Sequence, residues 1–350
     1  MEAAVLAQGE RRITFRQAIQ EALAEEMRRD EYVFVMGEDV AGGRLRAHLE
    51  ETEAWGGVMA VTKGLVGEFG RRRVIDTPIS EMAFIGAAAG AAALGLRPVV
   101  ELMFVDFHGV CWDQIFNQAA KMRYMLGGQV RMPLVIRTTI GAGIGEAGQH
   151  SGCHYSVFTH MPGIKCVVPS TPADAKGLLI SAIRDDDLVV VFEHKLLYSS
   201  KGLVESNPIP IPLGRARVTR EGKDVAVIAI GLMVARAEAA ADRLENEGIS
   251  CHIVDLRSTS PIDEETVVQA ALQTGRVVVV DEDNPLCSVA SELAALIGEK
   301  VFGRLQAPVR RVCAPHAPVP FSPGLETAYM PSVDAICDAV KATLDPARHA

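Results

Sequence analysis

Apolar residues in the first part of the chain follow two spacings. Phe15, Ile19 and Leu23 recur every four residues behind a capping box formed by Thr14 and Gln17, a pattern that predicts a helix with one buried face. Continuous apolar runs predict strands that are buried on both faces. Such runs lie at residues 32–36, 98–107, 133–139, 164–168 and 188–192, with helices predicted between them at 110–126 and 172–184.

The alternation of strands and helices restarts after a stretch without periodicity. Residues 196–214 contain Pro208, Pro210 and Pro212 and are typical of an interdomain linker. Beyond them, strands are predicted at 224–230, 251–256, 276–282 and near 309–312, again separated by helices. This order indicates parallel sheets. We therefore predict an α/β protein with two parallel-sheet domains, residues 1–200 and 216–350, joined by a linker at 201–215.

The stretch DTPISEMAFIGAAAGAAALG at residues 76–95 departs from both patterns. It predicts a helix made almost entirely of alanine and glycine, with Ser80 as candidate N-cap and Glu81 in the first turn. A helix this thin lets another helix, a second subunit or a flat ligand approach closely. Burial beside such a surface would raise the pKa of Glu81 and suit it to proton transfer near neutral pH. The alternative is an ordinary first-turn acid.

Composition narrows the class of protein. The chain has 350 residues, 49% of them hydrophobic, and a mean hydropathy of +0.17, so it can bury a large core. It contains no apolar run long enough to span a membrane and no secretory signal, and a soluble, cytoplasmic protein is expected. Seven cysteines without C-x-x-C spacing suit a reducing compartment, and a net charge of −9 argues against a nucleic-acid partner.

Two pairs of side chains stand out in or after the predicted strands. Glu38 and Asp39 follow strand 32–36, at the end where α/β sheets usually hold their sites; a solvated loop is the alternative. Met103 and Phe107 are four residues apart, so the predicted strand 98–107 would place both on one face. Packing in the core is the ordinary role of such residues.

The sequence GAGIGEAGQHSGCH at residues 141–154 contains further candidates. Its glycines match the dinucleotide-binding pattern G-x-G-x-x-G, but no helix opens there and no acidic residue ends the next strand, which argues against such a site. The histidines and cysteines fit no common zinc spacing. His150 is a candidate acid–base group, because its pKa suits neutral pH and loops often carry sites. The acidic turn at 185–187 is either solvated or a cation site.

Together these motifs resemble the β subunits of thiamine-diphosphate-dependent 2-oxo acid dehydrogenases, which are transketolase-like proteins. The resemblance covers nearly the whole chain, and the motifs occur in the family's order. They are GEDV (37–40), DTPISEM (76–82), ELMFVDF (101–107), NQAAKMRYM (117–125), QHS (149–151), PSTPADAKGLL (169–179), AIRDDD (182–187), EHKLLY (193–198) and APHAPVPFS (314–322).

The resemblance implies roles for the candidates near the thin helix. Glu81 would bond the aminopyrimidine ring of thiamine diphosphate and promote removal of the thiazolium proton. Ile79, Met103 and Phe107 would line the pyrimidine pocket. Glu38 is similar to a family acid that links paired active sites through a polar tunnel.

Two further assignments are implied by the resemblance. His150, in the QHS motif, would act as the acid–base group that serves the reaction intermediates and the transfer to lipoamide. A structural potassium ion would be bound by carbonyl and carboxylate oxygens of Leu134, Ala182, Asp185 and Asp187, although the family often has asparagine where this chain has Asp187.

A missing motif implies a partner. The cofactor's diphosphate and Mg²⁺ require a G-D-G motif followed by asparagine, and no G-D-G occurs in this chain. The resemblance therefore implies an α subunit that supplies this half of the site in an α₂β₂ heterotetramer. It also implies a dihydrolipoyl acyltransferase that receives the acyl group, with docking assisted by the second domain.

Several segments most resemble the acetoin dehydrogenase branch, among them AWGGVMAVTKGL, ELMFVDF and VIRTTIGAGIG. That branch would cleave acetoin to acetaldehyde and transfer the acetyl group to lipoamide. The alternative is oxidative decarboxylation of pyruvate or a branched-chain 2-oxo acid with the same acceptor. Two other classes remain open at this point: an NAD-dependent oxidoreductase that uses the glycine loop, and a noncatalytic scaffold.

Overall fold

The computed structural model describes residues 10–43, 54–205 and 209–345. The chain divides into two compact units. The first contains residues 1–139 and 161–213, and the second contains residues 140–160 and 214–350. The segment 140–160 groups with the second unit although it precedes part of the first in the chain, which a boundary drawn from sequence order does not anticipate. Pro208, in the predicted linker, lies outside the described residues.

The described residues form regular elements along most of the chain. The strands are Glu10–Thr14 (β1), Val33–Gly37 (β2), Val74–Asp76 (β3), Arg97–Phe104 (β4), Val135–Ile140 (β5), Lys165–Val167 (β6), Val189–His194 (β7), Lys201–Glu205 (β8), Arg217–Arg220 (β9), Val225–Ala229 (β10), Cys251–Asp255 (β11), Ser258–Ser260 (β12), Val277–Asp281 (β13) and Arg310–Cys313 (β14). The α-helices are Phe15–Arg29 (α1), Leu65–Phe69 (α2), Glu81–Ala93 (α3), His108–Asp113 (α4), Met122–Met125 (α5), Tyr155–Thr159 (α6), Pro172–Arg184 (α7), Leu232–Glu245 (α8), Glu264–Thr274 (α9), Val289–Lys300 (α10), Pro323–Tyr329 (α11) and Val333–Leu344 (α12).

Six strands of the first unit lie side by side in the order β3, β2, β4, β5, β7, β6. The pairs β2–β3, β2–β4, β4–β5 and β6–β7 are all parallel. Every residue of β5 and β7 is buried, as expected for strands covered on both faces. The predicted parallel α/β architecture is therefore confirmed for this unit.

Helix α1 begins where the sequence predicts. The Thr14 hydroxyl accepts a hydrogen bond from the Gln17 amide at 3.1 Å, and Gln17 Oε1 accepts one from the Thr14 amide at 2.9 Å, so the capping box is present. The predicted apolar face of α1 is buried, and the helix packs against α7. Strand β8, inside the segment predicted as a linker, pairs antiparallel with β1 and so belongs to the first unit.

Two predicted elements of the first unit differ in the structure. The strand predicted at 98–107 ends at Phe104, and Val105–Phe107 forms a 3₁₀ turn, so the expectation that Met103 and Phe107 share a strand face is wrong. The pairing register of β4 with β5 shifts between Leu102 and Phe104, which ends the regular ladder. The helix predicted at 110–126 is interrupted by a π-helical segment, Gln114–Ala119.

The second unit contains a five-stranded sheet in the order β14, β13, β10, β11, β9. The first four strands are parallel, and β9 is antiparallel to β11. Helices α8 and α12 contribute Met233, Leu244, Ile336 and Val340 to its core, together with Val227 and other buried residues of the strands. The predicted second parallel α/β domain is confirmed.

Two glycines with similar φ angles allow a test of the packing in the first unit. Gly163 and Gly95 have φ of +92° and +96°, but a Cβ at Gly163 would lie 2.1 Å from the Ala120 carbonyl oxygen, whereas no described atom lies within 4 Å of a Cβ at Gly95. Gly95→Ala should cost about 1 kcal/mol from backbone conformation, and Gly163→Ala about 1–3 kcal/mol more from overlap. Urea unfolding measures both; equal losses would contradict the close contact at Gly163.

Candidate active site

Three neighbouring parallel strands bring the predicted cofactor residues to one edge of the first sheet. Glu38 follows β2, Ile79 and Glu81 follow β3, and Met103 and Phe107 lie at and just beyond the end of β4. The carboxyl ends of parallel strands meet at the same edge, which is the usual place for sites in α/β sheets. All five residues therefore belong to this edge, whereas His150 belongs to the second unit.

Glu81 is the first residue of α3 and is half-buried. The Thr77 amide donates to the Gly37 carbonyl at 2.9 Å and ties the turn before α3 to the end of β2. Ser80 occupies the predicted N-cap position, but its side chain makes no capping hydrogen bond. The Glu81 carboxylate thus lies in the first helical turn, where the helix dipole favours negative charge.

Helix α3 is approached closely by one neighbour and carries exposed apolar side chains elsewhere. A Cβ at Gly86 would lie 2.9 Å from Gln114 Oε1, so the missing side chain makes room for the π-helical segment. Around the helix, Ile79 is 84% exposed, Met82 58% and Leu94 88%. The sequence predicted that another surface approaches this helix, and the described residues leave apolar side chains exposed at both of its ends, Ile79 and Met82 at the N-terminal end and Leu94 at the C-terminal end, for a partner or ligand to cover.

Glu38 is an acid with a strongly altered environment. Burial raises the pKa of Glu38 to about 7, and the negative charges of Glu81, Asp39 and Glu101 contribute in the same direction. A carboxyl that exchanges its proton near neutral pH therefore lies within electrostatic reach of Glu81. Such a group is typical of sites that move protons.

A buried ionic network lies behind this edge and was missed by sequence reasoning. Arg137, on β5, donates to both carboxylate oxygens of Glu193 on β7 at 2.7 Å and to Glu101 on β4 at 2.9 Å. The Tyr198 hydroxyl donates to Glu193 at 2.6 Å. The side chains of Arg137 and Glu193 are each 1% exposed. The sequence did contain a signal for this network, namely one charged residue inside each of three apolar strands. Because buried charges must be paired, these three residues could have been expected to contact one another.

Charges in this network alter the titration of its members. Burial raises the pKa of Glu101, while the charge and hydrogen bond of Arg137 lower it and the charge of Glu193 raises it. Burial lowers the pKa of Arg137, but the charges of Glu193 and Glu101 outweigh this and the pKa is raised. The guanidinium therefore stays charged and compensates the neighbouring carboxylates.

The glycine-rich loop after β5 contacts carboxylates of its own unit. Glu326 Oε1 accepts from the Gly143 amide at 2.6 Å, and its two oxygens accept from the Gly145 amide at 3.2 and 3.0 Å. Glu282 accepts from the Ala142 amide at 2.9 Å. These amides are the donors that a dinucleotide phosphate would need, so the structure argues against the NAD hypothesis. His150 is half-buried and lies further along the same segment.

The acidic turn after α7 is already paired with cations. Lys165 Nζ donates to Asp185 at 2.8 Å and to Asp187 at 3.1 Å, and Arg123 also forms an ion pair with Asp187. The Asp185 carbonyl accepts from Arg97 at 3.0 Å. The carboxylates predicted as potassium ligands therefore have protein partners, and backbone carbonyl oxygens would have to bind a cation here.

The described residues contain neither a candidate metal cluster nor a membrane-spanning helix. Within residues 10–43, 54–205 and 209–345, no group of three or more histidine, cysteine, aspartate or glutamate side chains is placed to hold a metal ion. In the same part of the chain, no helix is both long enough and apolar enough to cross a bilayer.

The chain matches two known domain families over most of its length. Residues 11–201 match the family described as "Transketolase, pyrimidine binding domain", and residues 214–336 match "Transketolase, C-terminal domain". The chain is 52% identical over 324 residues, 93% of this chain and 95% of the relative, to "Acetoin:2,6-dichlorophenolindophenol oxidoreductase subunit beta" of Bacillus subtilis. It is 43% identical over 331 residues, 94% of this chain and 69% of the relative, to "Pyruvate dehydrogenase E1 component subunit beta" of Rhizobium meliloti.

A solved structure supports the fold independently. It is described as "Split gene transketolase, inactive beta4 tetramer" and aligns with a TM-score of 0.75 at 23% identity, covering 95% of this chain and 98% of that one. At this identity the likeness extends to the two-domain fold alone.

The raised pKa of Glu38 predicts a pH effect on stability. Because the folded state binds this proton more tightly than the unfolded state, stability is lost as pH rises from the ordinary value of 4.5 through about 7. The free energy of unfolding of Glu38→Gln minus that of the wild type should therefore be larger at pH 8 than at pH 5. Denaturant unfolding at both pH values measures this. The exposed Glu31→Gln is the control, and an unchanged difference for Glu38→Gln would reject the raised pKa.

The buried network predicts a large difference between two arginine substitutions. Arg137→Met should cost about 3–5 kcal/mol, because it leaves Glu101 and Glu193 buried without their cation. Arg131→Met is the matched control, because Arg131 is 71% exposed and pairs with Asp186 at 3.1 Å; it should cost about 0–1 kcal/mol. Equilibrium unfolding of both variants distinguishes them, and similar losses would show that the buried pairs contribute little.

Proposed function

The chain belongs to the transketolase-like β subunits of thiamine-diphosphate-dependent dehydrogenases, and from this premise we propose that it acts in cleaving acetoin to acetaldehyde and passing the acetyl group to lipoamide. The observation that carries this choice is the 52% identity to the acetoin oxidoreductase subunit over most of both chains, against 43% to the pyruvate dehydrogenase subunit. The sequence motifs favoured the same branch.

The residues at the sheet edge suit the aminopyrimidine half of thiamine diphosphate. Glu81 presents a half-buried carboxylate in the first turn of α3, and Met103 and Phe107 are half-buried apolar groups at the end of the adjacent β4. Ile79, which is 84% exposed, would gain burial from a bound ring. When bound, the cofactor supplies a nucleophilic carbon for the substrate carbonyl, and these residues would hold its pyrimidine ring.

Two carboxyls give this edge the means to move a proton. Glu81 would exchange a proton with the ring, as an acid–base group that contacts the cofactor. Glu38, whose pKa is raised to about 7, lies within electrostatic reach and would supply or remove that proton. In the second unit, His150 would donate and accept protons at the reacting substrate and during acetyl transfer.

An α subunit is the expected partner, because the relatives are β subunits of multi-subunit enzymes. The α chain would bind the diphosphate and Mg²⁺, which is consistent with the missing G-D-G motif. We extend the proposal to an α₂β₂ heterotetramer and to a dihydrolipoyl acyltransferase that receives the acetyl group. The exposed apolar residues around α3 are the surface that we assign to the α subunit.

The potassium site and the cellular location stay predictions. The potassium site at Leu134, Ala182, Asp185 and Asp187 would have to use backbone carbonyls, since the carboxylates of Asp185 and Asp187 are paired with Lys165 and Arg123. A cytoplasmic location agrees with seven cysteines that form no disulfide bonds.

The competing function is oxidative decarboxylation of pyruvate or a branched-chain 2-oxo acid. It uses the same cofactor, the same acceptor and the same carboxyls of this chain. Only part of the substrate pocket belongs to a β subunit, so the relative identities are the observation that favours acetoin.

The test is substrate-dependent reduction of an artificial electron acceptor by this chain co-purified with its α subunit. Acetoin, pyruvate and 3-methyl-2-oxobutanoate are offered separately, with and without thiamine diphosphate. We expect cofactor-dependent turnover with acetoin, and at least about 100-fold lower kcat in Glu81→Gln because its proton transfer is lost. Glu31→Gln, an exposed acid outside the site, is the matched control.

Each alternative result has a definite meaning. Preference for a 2-oxo acid would keep the cofactor and Glu81 assignments and reject acetoin as the substrate. Full activity of Glu81→Gln would reject the proton-transfer role, and turnover that persists without thiamine diphosphate would reject the cofactor. Size-exclusion chromatography checks that Glu81→Gln still assembles.

A further inference from the structure

Three buried acids of the second unit contact the segment that carries His150. Glu282 accepts from the Ala142 amide, and Glu326 accepts from the amides of Gly143 and Gly145. Beyond His150, the Tyr155 hydroxyl donates to Asp281. The segment is thus held on both sides of His150 by carboxylates from distant parts of the chain.

Glu326 has the most extensive of these contacts with the loop. Its carboxylate is bonded at 2.6 Å to the Gly143 amide and at 3.0 and 3.2 Å to the Gly145 amide, so one side chain spans three residues of backbone. Gly143 and Gly145 have φ of +118° and +76°. The amides of both glycines point at one anion, and here that anion is the protein's own Glu326 carboxylate.

Helix α11, which carries Glu326, is held in place by hydrogen bonds. Glu326 is 3% exposed and lies in α11, where its amide donates to the Ser322 carbonyl at 2.8 Å. At the end of the same helix, Asn284 Nδ2 contacts the Tyr329 hydroxyl at 3.2 Å and donates to the Pro315 carbonyl at 2.7 Å. A buried charge on a fixed element holds the loop more firmly than a flexible surface contact would.

We propose that Glu326 is a positioning residue, whose carboxylate fixes the loop at residues 141–150 so that His150 is presented in one place for acid–base chemistry. The inference rests on the proposed function, because it assumes that His150 acts in acetyl transfer. The Glu326 carboxylate is bonded to the loop amides and would not touch the reacting atoms. It acts through the backbone of the loop, as a supporting hydrogen bond orients a functional group in other sites.

A purely structural role makes a different prediction. If Glu326 only stabilised the fold, its loss would lower the melting temperature and reduce every catalytic step together. If Glu326 positions His150, its substitution slows only the step that uses His150. The substitution should then have no further effect when His150 is already replaced, because the effects of substitutions at residues that act as one unit do not add.

The experiment compares Glu326→Gln, His150→Ala and the double variant in the assembled complex with its α subunit. Glutamine keeps the side-chain size but loses the charge and one acceptor, so an amide group would face a backbone amide. We expect Glu326→Gln to slow acetyl transfer to lipoamide by about 10–100-fold, with substrate KM nearly unchanged. The melting temperature should fall somewhat as well, because buried amides lose their acceptor, so the comparison with the double variant is the deciding measurement. The double variant should be no slower than His150→Ala. Glu299→Gln, an exposed acid on α10, is the control.

Hydrogen exchange provides a second measurement that does not depend on activity. Amides in peptides covering residues 141–150 should exchange faster in Glu326→Gln, with the rest of the second unit unchanged. Glu326→Asp, which keeps the charge but shortens the reach, should give an intermediate effect. Full protection of these peptides in Glu326→Gln would overturn the proposal.

The activities of the variants distinguish a failure of the positioning role of Glu326 from a failure of the function proposed for His150. Losses that multiply in the double variant would overturn the positioning role even if exchange increases. Full acetyl transfer in His150→Ala alone would reject the function proposed for His150, and with it the positioning role proposed for Glu326. If the amides of residues 141–150 also lost protection in Glu326→Gln, Glu326 would be shown to hold the loop, and only the catalytic use of His150 would be rejected.

Discussion

The ionic contacts of Arg137 tie together the three central strands of the first sheet. Glu101 and Arg137 are register partners on β4 and β5, and Glu193 reaches Arg137 from β7 on the other side. A slip of one residue in either pairing would turn these side chains to opposite faces and leave charges buried without partners. The cost of that arrangement selects one register. The places where β4 and β5 end, and hence the position of Met103, depend on it.

The same sheet explains how one edge collects several acids. Glu38 follows β2, Glu81 begins α3 after β3, and Glu101 lies on β4, so the three acids belong to neighbouring parallel strands or to the segments after them. The negative charges of Glu81 and Glu101 both raise the pKa of Glu38. Burial and mutual repulsion favour a protonated Glu38 near neutral pH, whereas Glu101 has the buried guanidinium of Arg137 as its counter-ion. Neighbouring carboxyls in unequal environments are the usual basis for dividing acid and base roles.

Sequence patterns predicted the order of elements well because helical and strand spacings are local properties. The capping box at Thr14 and both parallel sheets follow from them. Phe107 was misplaced because the end of β4 depends on its pairing with β5, which no local pattern contains. The role of Glu326 was equally hidden: its partner amides at Gly143 and Gly145 lie about 180 residues earlier in the chain. The candidate residues themselves came largely from family resemblance, since a carboxylate or histidine alone does not specify its chemistry.

The uncovered apolar surface around α3 also bears on how the protein is maintained in a cell. In a chain made without its partner, the apolar side chains of Ile79, Met82 and Leu94 stay exposed next to α3. Chaperones and proteases recognise such surfaces, and orphan subunits tend to aggregate or be degraded. The steady abundance of this chain would then follow the supply of the other subunit rather than its own rate of synthesis, so balanced production of the two chains becomes part of the physiology of the enzyme.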